Sequence, residues 1–326
     1  MAAQEFMPRE EVIAAIRKDI EQYEIERQLA YRQVQWRVPV FLGGLAVLVL
    51  VLAYAFNSFA SPYEQWLSTP HVFLYIGAFV AAIWAYYMAM RPATELRQSF
   101  RDRLLPIIFA FVEDLRYRNG WTPDSFDRLP PQAVGSFNRQ TFDDVLVGKY
   151  EGFPFELYEV TLAQKSGKSE STVFKGVIAA FETGTSFPGL LVAAKRAGSV
   201  TRFFRDLFGS GDLEEITSGA PDLDEAYEFR TDNAASAQPF VAGKLAQVLR
   251  WLNETWPGEP ARVAWKGRDG FLLLPLTRNF FELPGISQPI DYKAHVEPLV
   301  ADMVSLLATA SLVRKVGTPD EEKAQQ

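Results

Sequence analysis

The chain of 326 residues contains no cysteine and only two histidines, His71 and His295. Without cysteine there is no disulfide, no zinc-thiolate site, no iron–sulfur cluster and no cysteine nucleophile. A basic excess is also missing, because 33 Lys and Arg stand against 40 Asp and Glu, giving a formal net charge of −7. Nucleic-acid binding needs a concentrated basic surface, so this balance argues against a general nucleic-acid binder. Apolar residues are plentiful at 48%, which is enough to build packed cores.

Charge is missing altogether from two stretches near the start of the chain, residues 38–56 and residues 71–90. Each is close to the ~20 apolar residues that an α-helix needs to cross a hydrocarbon layer of ~30 Å. Buried helices of soluble proteins normally keep one polar face, and neither stretch has a polar stripe. We therefore predict a two-helix transmembrane hairpin over residues 38–90.

Arginines flank the two predicted spans on one side only. The loop at residues 57–70 contains neither Lys nor Arg. The arginines closest to the spans on their other sides are Arg27, Arg32, Arg37, Arg91, Arg97, Arg101 and Arg103. Basic residues close to a span are retained in the cytoplasm. The asymmetry predicts a multi-pass protein of the inner (plasma) membrane with both termini in the cytoplasm.

Two helical stripes each have more than one interpretation. Apolar residues within 13–23 follow helical spacing in the N-terminal arm, residues 1–37. They predict an amphipathic helix that docks on the chain's own domain, on a second copy or on a partner. Small residues recur every fourth position in the second span, at Gly77, Ala81 and Ala85. This spacing fits packing against the first span or a dimer contact.

The remainder of the chain is predicted to be a soluble α+β part. Residues 91–131 are expected to form a helical linker with a helix at 94–118, residues 132–316 the cytoplasmic domain, and residues 317–326 a polar tail. The predicted strands and hairpins lie at 145–163, 171–182, 189–196, 227–232 and 262–276, and the predicted helices at 200–208, 237–255 and 292–316. Tight hairpins without helical crossovers favour a mainly antiparallel sheet with packed helices after the two transmembrane helices.

The first predicted hairpin turns at Glu151 and Gly152. Glycine at a chain reversal commonly supplies a positive φ that a side chain resists. We therefore expect Gly152→Val to destabilise the soluble domain by on the order of 1–3 kcal/mol through backbone strain.

The candidate chemical motifs of the soluble part all have simpler interpretations. Residues 167–169 resemble the end of a phosphate-binding loop, but Leu162 occupies the position of its first glycine, so a polar turn is favoured. His295 lies four residues after Asp291, which favours a helix-surface pair over a metal or catalytic site. The acidic stretch at 222–225 lacks the spacing of a calcium loop. We predict no catalytic, cofactor-binding or metal-binding residue.

Short strand motifs of the soluble part resemble those of a bacterial family. They are VGKYEG at 147–152 with Phe155 and Glu159, FKG at 174–176, and TD at 231–232 before a helix. That family is known as a domain of unknown function on two-span inner-membrane proteins. The resemblance implies a cytoplasmic α+β domain on a membrane anchor, and it brings no catalytic residues with it.

Two functional hypotheses follow from these patterns. The first is a membrane-anchored cytoplasmic binding or scaffolding module, because hairpins and aromatics are abundant and no catalytic motif is recognisable. The alternative is an enzyme acting on a membrane-proximal or lipid-linked substrate, because folding can bring together carboxylates that are distant in sequence. The expected partners are the lipid bilayer and either a protein or a second copy of the chain, without nucleic acid.

Overall fold

The computed structural model describes residues 10–58, 66, 68–99, 105–196, 213–256, 261–281 and 285–316. The predicted helix at 200–208 and the predicted tail at 317–326 lie outside these residues. The chain divides into two compact units. Residues 13–107 and 283–295 form what we call the helical unit, and residues 1–12, 108–282 and 296–326 form the sheet unit.

Two long helices dominate the helical unit, α1 (Glu10–Asn57) and α2 (Thr69–Ser99). Helix α1 continues from the predicted arm into the first predicted span without a break, and Pro39 lies within it. Glu10 and Glu11 occupy its first turn, where carboxylates are favoured by the positive end of the helix dipole.

Three helices are long and apolar enough to cross a membrane, namely α1, the part of α2 at Thr69–Leu96, and a helix at Tyr292–Arg314. They differ in how much protein covers them. Within their most apolar windows, 6% of residues are buried in α1 and 11% in α2, against 72% in the third helix. The first two therefore present apolar side chains outward, whereas the third is mostly covered by the protein itself.

The apolar stripe predicted in the arm is buried from Ile16 onward within the helical unit. The Tyr23 hydroxyl donates to the Leu96 carbonyl on α2. Further along α1, the buried Arg27 forms a 2.6 Å ion pair with Glu24 and donates to the Ile286 carbonyl. The hydrogen bonds that Arg27 donates to the Glu24 carboxylate are the main cause that lowers the pKa of this carboxyl to about 2. The stripe thus docks on the chain itself.

At the opposite end of the helix pair, the buried His71 links α2 to α1. Its Nε2 lies 2.9 Å from the Ala53 carbonyl oxygen, and its Nδ1 lies 2.6 Å from Ser68 Oγ. A carbonyl only accepts, so Nε2 carries the proton and Nδ1 accepts from the serine. The small-residue stripe of the second span is divided, because Ala85 is buried and Gly77 is exposed.

The sheet unit contains a seven-stranded antiparallel sheet. Its strands are β1 (Glu113–Asn119), β2 (Arg139–Tyr150), β3 (Phe153–Ser166), β4 (Ser169–Lys195), β5 (Glu214–Ile216), β6 (Tyr227–Thr231) and β7 (Arg262–Pro275). The spatial order is β1-β2-β3-β4-β6-β5, and β7 pairs with β4. The α+β class with an antiparallel sheet is therefore confirmed.

Turn chemistry sets the register of the first two hairpins. Glu151 and Gly152 have φ values of 46° and 76° between β2 and β3. Two consecutive positive φ values give the turn whose twist matches that of the flanking strands. The predicted hairpin at 145–163 is confirmed, and residues 167–168 form the next turn, between β3 and β4, as the polar-turn interpretation requires.

Strand β4 is longer than the sequence pattern indicates. The two strands predicted at 171–182 and 189–196 are one strand, whose pairing with β7 is irregular between Glu182 and Leu190. The hairpin predicted at 262–276 is wrong, because β7 follows β4 without reversing. The polar residues around Gly267 lie at this irregularity, where the strand is exposed, and they gave the appearance of a turn.

The helical linker predicted at 91–131 is correct only in part. Helix α2 ends at Ser99 and a short helix, α3 (Leu105–Ile108), follows. Residues 113–119 are instead strand β1, paired with β2. Apolar residues spaced by four also satisfy a period of two, so a short segment fits both structures, and here pairing with β2 decides.

Short helices cover both faces of the sheet. They are a 3-10 turn (Phe126–Arg128), α4 (Pro131–Val134), α5 (Pro221–Ala226), α6 (Ala234–Val241), α7 (Lys244–Thr255) and α8 (Glu297–Arg314). Residues of the 3-10 turn and α4 join the core cluster on one face, and α8 packs against β4 and β7. The single helix predicted at 237–255 is two helices, broken at Gly243, where a Cβ atom would lie 2.8 Å from the Pro239 carbonyl oxygen. The helix predicted at 292–316 is present.

Candidate functional site

A groove of about 590 Å³ opens at the irregular part of the β4–β7 pairing. Three separate segments of the sheet unit contribute to it: the 3-10 turn, the bend in β4 and β7, and the residue that follows β6. The lining residues are Asp127, Arg128, Phe187, Gly189, Leu190, Asp232, Lys266, Gly267 and Asp269. The sheet thus widens into a surface recess where its ladder of hydrogen bonds is interrupted.

Charged side chains of both signs surround this groove. Arg128 forms a 2.9 Å ion pair with Asp269 across its rim. The Asp232 carboxylate accepts a 2.7 Å hydrogen bond from the Leu190 amide, which fixes the carboxylate against the bend in β4. Lys266 is exposed. Such a recess offers ionic and hydrogen-bonding partners to a polar ligand or peptide segment.

A pair of buried carboxyl groups lies elsewhere in the sheet unit. Asp144 lies within the irregularity of β2, between Phe142 and Val145, and Glu159 lies on the neighbouring strand β3. Their side chains are almost fully buried, at 0% and 3% exposure. Asp144 accepts a hydrogen bond from the Tyr117 hydroxyl. Glu159 Oε1 receives a long 3.4 Å hydrogen bond from the Phe280 amide, while its buried Oε2 has no hydrogen-bond partner among the described residues.

Burial first, and then the charge of Asp144, raise the pKa of the Glu159 carboxyl to about 7. Asp143 adds to this effect, whereas the Phe280 amide and Lys175 oppose it. A carboxyl group with a pKa near neutrality gains or loses a proton at physiological pH. The pair therefore has the electrostatic property expected of a general acid or base.

His295 and the acidic stretch at 222–225, the candidate residues of the sequence analysis, each form local contacts in the structure. The Asp291 amide donates to His295 Nδ1 at 3.0 Å, so the two residues pair through the backbone. In the acidic stretch at 222–225, Asp222 forms a 2.8 Å ion pair with Arg250 and Asp224 accepts from the Ser218 amide. Among the described residues, no group of three or more His, Cys, Asp or Glu is placed to hold a metal ion.

Sequence reasoning assigned no role to either the groove or the buried pair. Glu159 does carry a signal, because it interrupts a run of apolar residues on one face of β3. Asp144 carries a weaker one, since adjacent residues in a strand point to opposite faces, and Asp143 is exposed whereas Asp144 is buried. Their proximity depends on strand register, which neither residue reveals alone.

Comparison with known proteins gives little further information. No protein-family model and no curated protein match the chain. Among solved structures, a crystal structure of the mycobacterial trehalose monomycolate transport factor A is similar at 11% identity and a TM-score of 0.38. The match covers 62% of this chain and 86% of that one. A likeness at this level supports no argument about this chain, and the family resemblance drawn from the strand motifs stays a prediction.

Proposed function

We propose that the chain is a membrane-anchored binding or scaffolding module whose sheet unit lies in the cytoplasm. The observation that carries the anchor is the outward-facing apolar surface of α1 and α2, which water would solvate poorly. Helices satisfy their backbone hydrogen bonds internally, so both are suited to lipid. Arginines that precede residues 38–56 or follow residues 71–90 support a cytoplasmic position for the sheet unit.

The groove supports binding as the role of the sheet unit. It is open, its charged groups are accessible, and its walls come from strands and a turn that the core holds in place. Interactions of this kind recognise a polar segment of a partner by charge and hydrogen bonding. We therefore assign the groove to a polar peptide segment of a partner protein.

The absence of native cysteine makes the membrane arrangement directly testable. Lys168 and Ser58 are both exposed, one in a turn of the sheet unit and the other in the segment that joins α1 to α2. In intact cells, a membrane-impermeant thiol reagent should label Ser58→Cys and leave Lys168→Cys unlabelled. Both variants should react once the membrane is permeabilised. Labelling of Lys168→Cys in intact cells would contradict the proposed cytoplasmic position.

Binding at the groove can be tested with a photo-crosslinking amino acid at Lys266, using position 168 as the matched exposed control. We expect a discrete protein adduct from position 266 and none from position 168. The substitution Asp232→Asn, which removes the charge and keeps an oxygen that can accept from the Leu190 amide, should reduce the adduct while the unfolding midpoint stays close to that of the parent. Equal adducts at both positions would argue against a specific groove.

The buried pair of Asp144 and Glu159 favours a second candidate function, that of an enzyme acting on a membrane-proximal or lipid-linked substrate. Paired carboxyl groups of which one has a pKa raised by burial, as Glu159 does, are typical of acid–base catalysis. For this role, substrate would need to reach Glu159 Oε2, which is buried. A hydrophilic carbodiimide that modifies Glu159 in the folded protein would support such access, and complete protection would count against it.

A further inference from the structure

Trp121 is the single exposed large apolar side chain in the described part of the sheet unit, with 51% of its surface accessible. The other exposed large apolar side chains all belong to α1, α2 or the segment that joins them. Among the described residues, folding of the sheet unit therefore leaves one large apolar side chain, the Trp121 indole, with half of its surface exposed to solvent. It follows β1, the strand at one edge of the sheet.

Two arginines of β1 accompany this indole. The Arg118 guanidinium lies over the Trp121 ring, 4.5 Å from its centroid. Arg116 and Arg118 are two residues apart in one strand, so both point to the same side of the sheet. Both are exposed, and neither forms an ion pair with any acid in the described ranges. The three residues form what we call the edge patch.

The composition of the edge patch favours lipid over protein as its occupant. A stable protein interface has a core of several apolar residues surrounded by a polar rim. The edge patch has one indole and two cations, without a further exposed large apolar residue among the described residues of the unit. Tryptophan and arginine are the side chains that favour the headgroup layer, where an indole lies at the apolar boundary and a guanidinium pairs with phosphate.

Chain connectivity adds a second argument. Only residues 91–112 separate the end of the second predicted span from β1. A tether this short keeps a surface at high effective concentration near the bilayer, so a contact that is weak by itself becomes populated. The same tether is rich in arginine, at Arg91, Arg97, Arg101 and Arg103, and it extends the positive charge along the chain toward the patch.

We propose that Arg116, Arg118 and Trp121 form a docking surface for the headgroup layer of an anionic membrane. The proposal rests on the proposed function, because it needs the sheet unit to face the anionic cytoplasmic leaflet. The arginines pair with lipid phosphates and the indole inserts at the boundary between headgroups and acyl chains. The sheet unit is then held against the membrane surface by this contact as well as by its covalent link.

The test uses the full chain with a fluorescent nitrobenzoxadiazole label on Thr122→Cys, next to Trp121 and exposed. The protein is reconstituted into vesicles of phosphatidylcholine, or of equal parts phosphatidylcholine and phosphatidylglycerol, containing a lipid with a nitroxide on its headgroup. We expect quenching to be about twofold greater in the anionic vesicles and to decrease as salt is raised, because salt screens the arginines. The label on Lys168→Cys is the matched control and should be quenched equally in both.

Charge variants separate the docking contact from a structural effect. Arg116→Gln combined with Arg118→Gln should abolish the additional quenching in anionic vesicles, whereas the corresponding Lys substitutions should keep most of it. Trp121→Ser should lower quenching in both kinds of vesicle. All variants are compared at equal unfolding midpoints, and a variant that unfolds is replaced by the single Arg116→Gln change.

Three outcomes would overturn the proposal. Equal quenching at positions 122 and 168, or an increase that survives the double Gln substitution, would exclude recognition of lipid by these arginines. Quenching in anionic vesicles that falls as the ratio of protein to lipid rises would assign the edge patch to a second copy of the chain. Both leaflets of the vesicles have the same composition, so the comparison between neutral and anionic vesicles does not depend on the orientation in which the protein inserts. The thiol labelling in cells tests the proposed function separately.

Discussion

The helical unit and the sheet unit differ in where they place their buried polar groups. Helices α1 and α2 expose apolar side chains over residues 38–56 and 71–90, and their buried polar groups lie outside these stretches or at their edge, as with Arg27 and His71. The sheet unit covers both faces of its sheet with apolar side chains and retains Asp144 and Glu159 in its interior. In lipid, polar groups are costly along the helix and inexpensive at its ends. In water, a domain of this size can bury a polar pair if packing elsewhere compensates.

The two units also depend differently on residues distant in sequence. A long helix forms its backbone hydrogen bonds between residues four apart, so the effect of one substitution is confined to nearby residues. Strand β4 instead pairs with β3, β6 and β7, and most contacts of the sheet pass through it. A disruptive substitution in the middle of β4 should therefore lower the free energy of unfolding more than one elsewhere in the protein.

Gly176 is the position where this difference should be largest. It has a φ of +154°, and a Cβ atom there would lie 2.1 Å from the Leu274 carbonyl oxygen of β7. A backbone carbonyl held in a strand cannot move aside to relieve this clash as a flexible side chain can. Gly176→Ala should therefore reduce the free energy of unfolding by on the order of 3–5 kcal/mol. The measurement is thermal or denaturant unfolding of the full chain in detergent, followed by the circular dichroism of the sheet.

Gly152→Ala is the matched control, because Gly152 also has a positive φ but no atom within 4 Å of its added Cβ. It isolates the conformational penalty, which should be about 1–2 kcal/mol. Equal losses for the two variants would mean that β4 and β7 are not in close register at Gly176. The helical signal of α1 and α2 should persist in both.

Glu159→Gln should stabilise the sheet unit, with an effect that grows with pH. The folded protein holds the Glu159 proton up to a pKa of about 7, whereas the unfolded chain releases it near 4.5. Between these values the unfolded state binds fewer protons, so the parent loses stability as pH rises, and above pH 7 the loss is complete. Gln cannot ionise, so the variant should exceed the parent by on the order of 2–3 kcal/mol at pH 8 and by little at pH 4.

Unfolding of parent and variant across pH 4–8 provides the measurement. Asp144→Asn is the companion change, because it removes the neighbouring charge and keeps an oxygen that can accept from Tyr117. It should lower the pKa of Glu159 and so narrow the pH range over which the parent loses stability. A constant difference between Glu159→Gln and the parent at all pH values would refute the raised pKa.

Local signals predict most of the sheet, and long-range pairing explains where they fail. The turn at Glu151 and Gly152 is visible in the sequence because its chemistry is contained in adjacent residues. Strand β1 is hidden, since its helical interpretation is removed only by pairing with β2. The polar residues near Gly267 imitate a turn, and only the course of β4 shows that the chain continues in the same direction.

The candidate sites were less predictable for a related reason. The groove joins segments near residues 128, 190, 232 and 267, and no motif connects them along the chain. Glu159 could be noticed as an acid within an apolar strand face, but its pKa depends on Asp144 across an irregular strand pair. Composition and periodicity report which residues are buried, whereas the meeting of two particular side chains requires register.

The smallest expected effect concerns the helical unit, where His71 connects the helix ends. His71→Ala removes two hydrogen bonds, to Ser68 Oγ and to the Ala53 carbonyl. Polar contacts between membrane helices are worth on the order of 1–2 kcal/mol, and the Ala53 carbonyl already has a helical partner. We expect a loss of about 1 kcal/mol in the association of α1 with α2, measured by titrating the reconstituted full chain with sodium dodecyl sulfate.

Two further variants decide whether this loss comes from the histidine bridge. His71→Gln can still donate to the Ala53 carbonyl and accept from Ser68, so it should recover part of the loss. Tyr75→Phe removes a more exposed 3.2 Å hydrogen bond to the Trp66 carbonyl and should cost less than His71→Ala. Because helices satisfy their backbone locally, none of the three should shift the unfolding midpoint of the sheet unit. If His71→Ala lowered that midpoint as much as Gly176→Ala does, the two units would unfold as one, and the contrast between them would be lost.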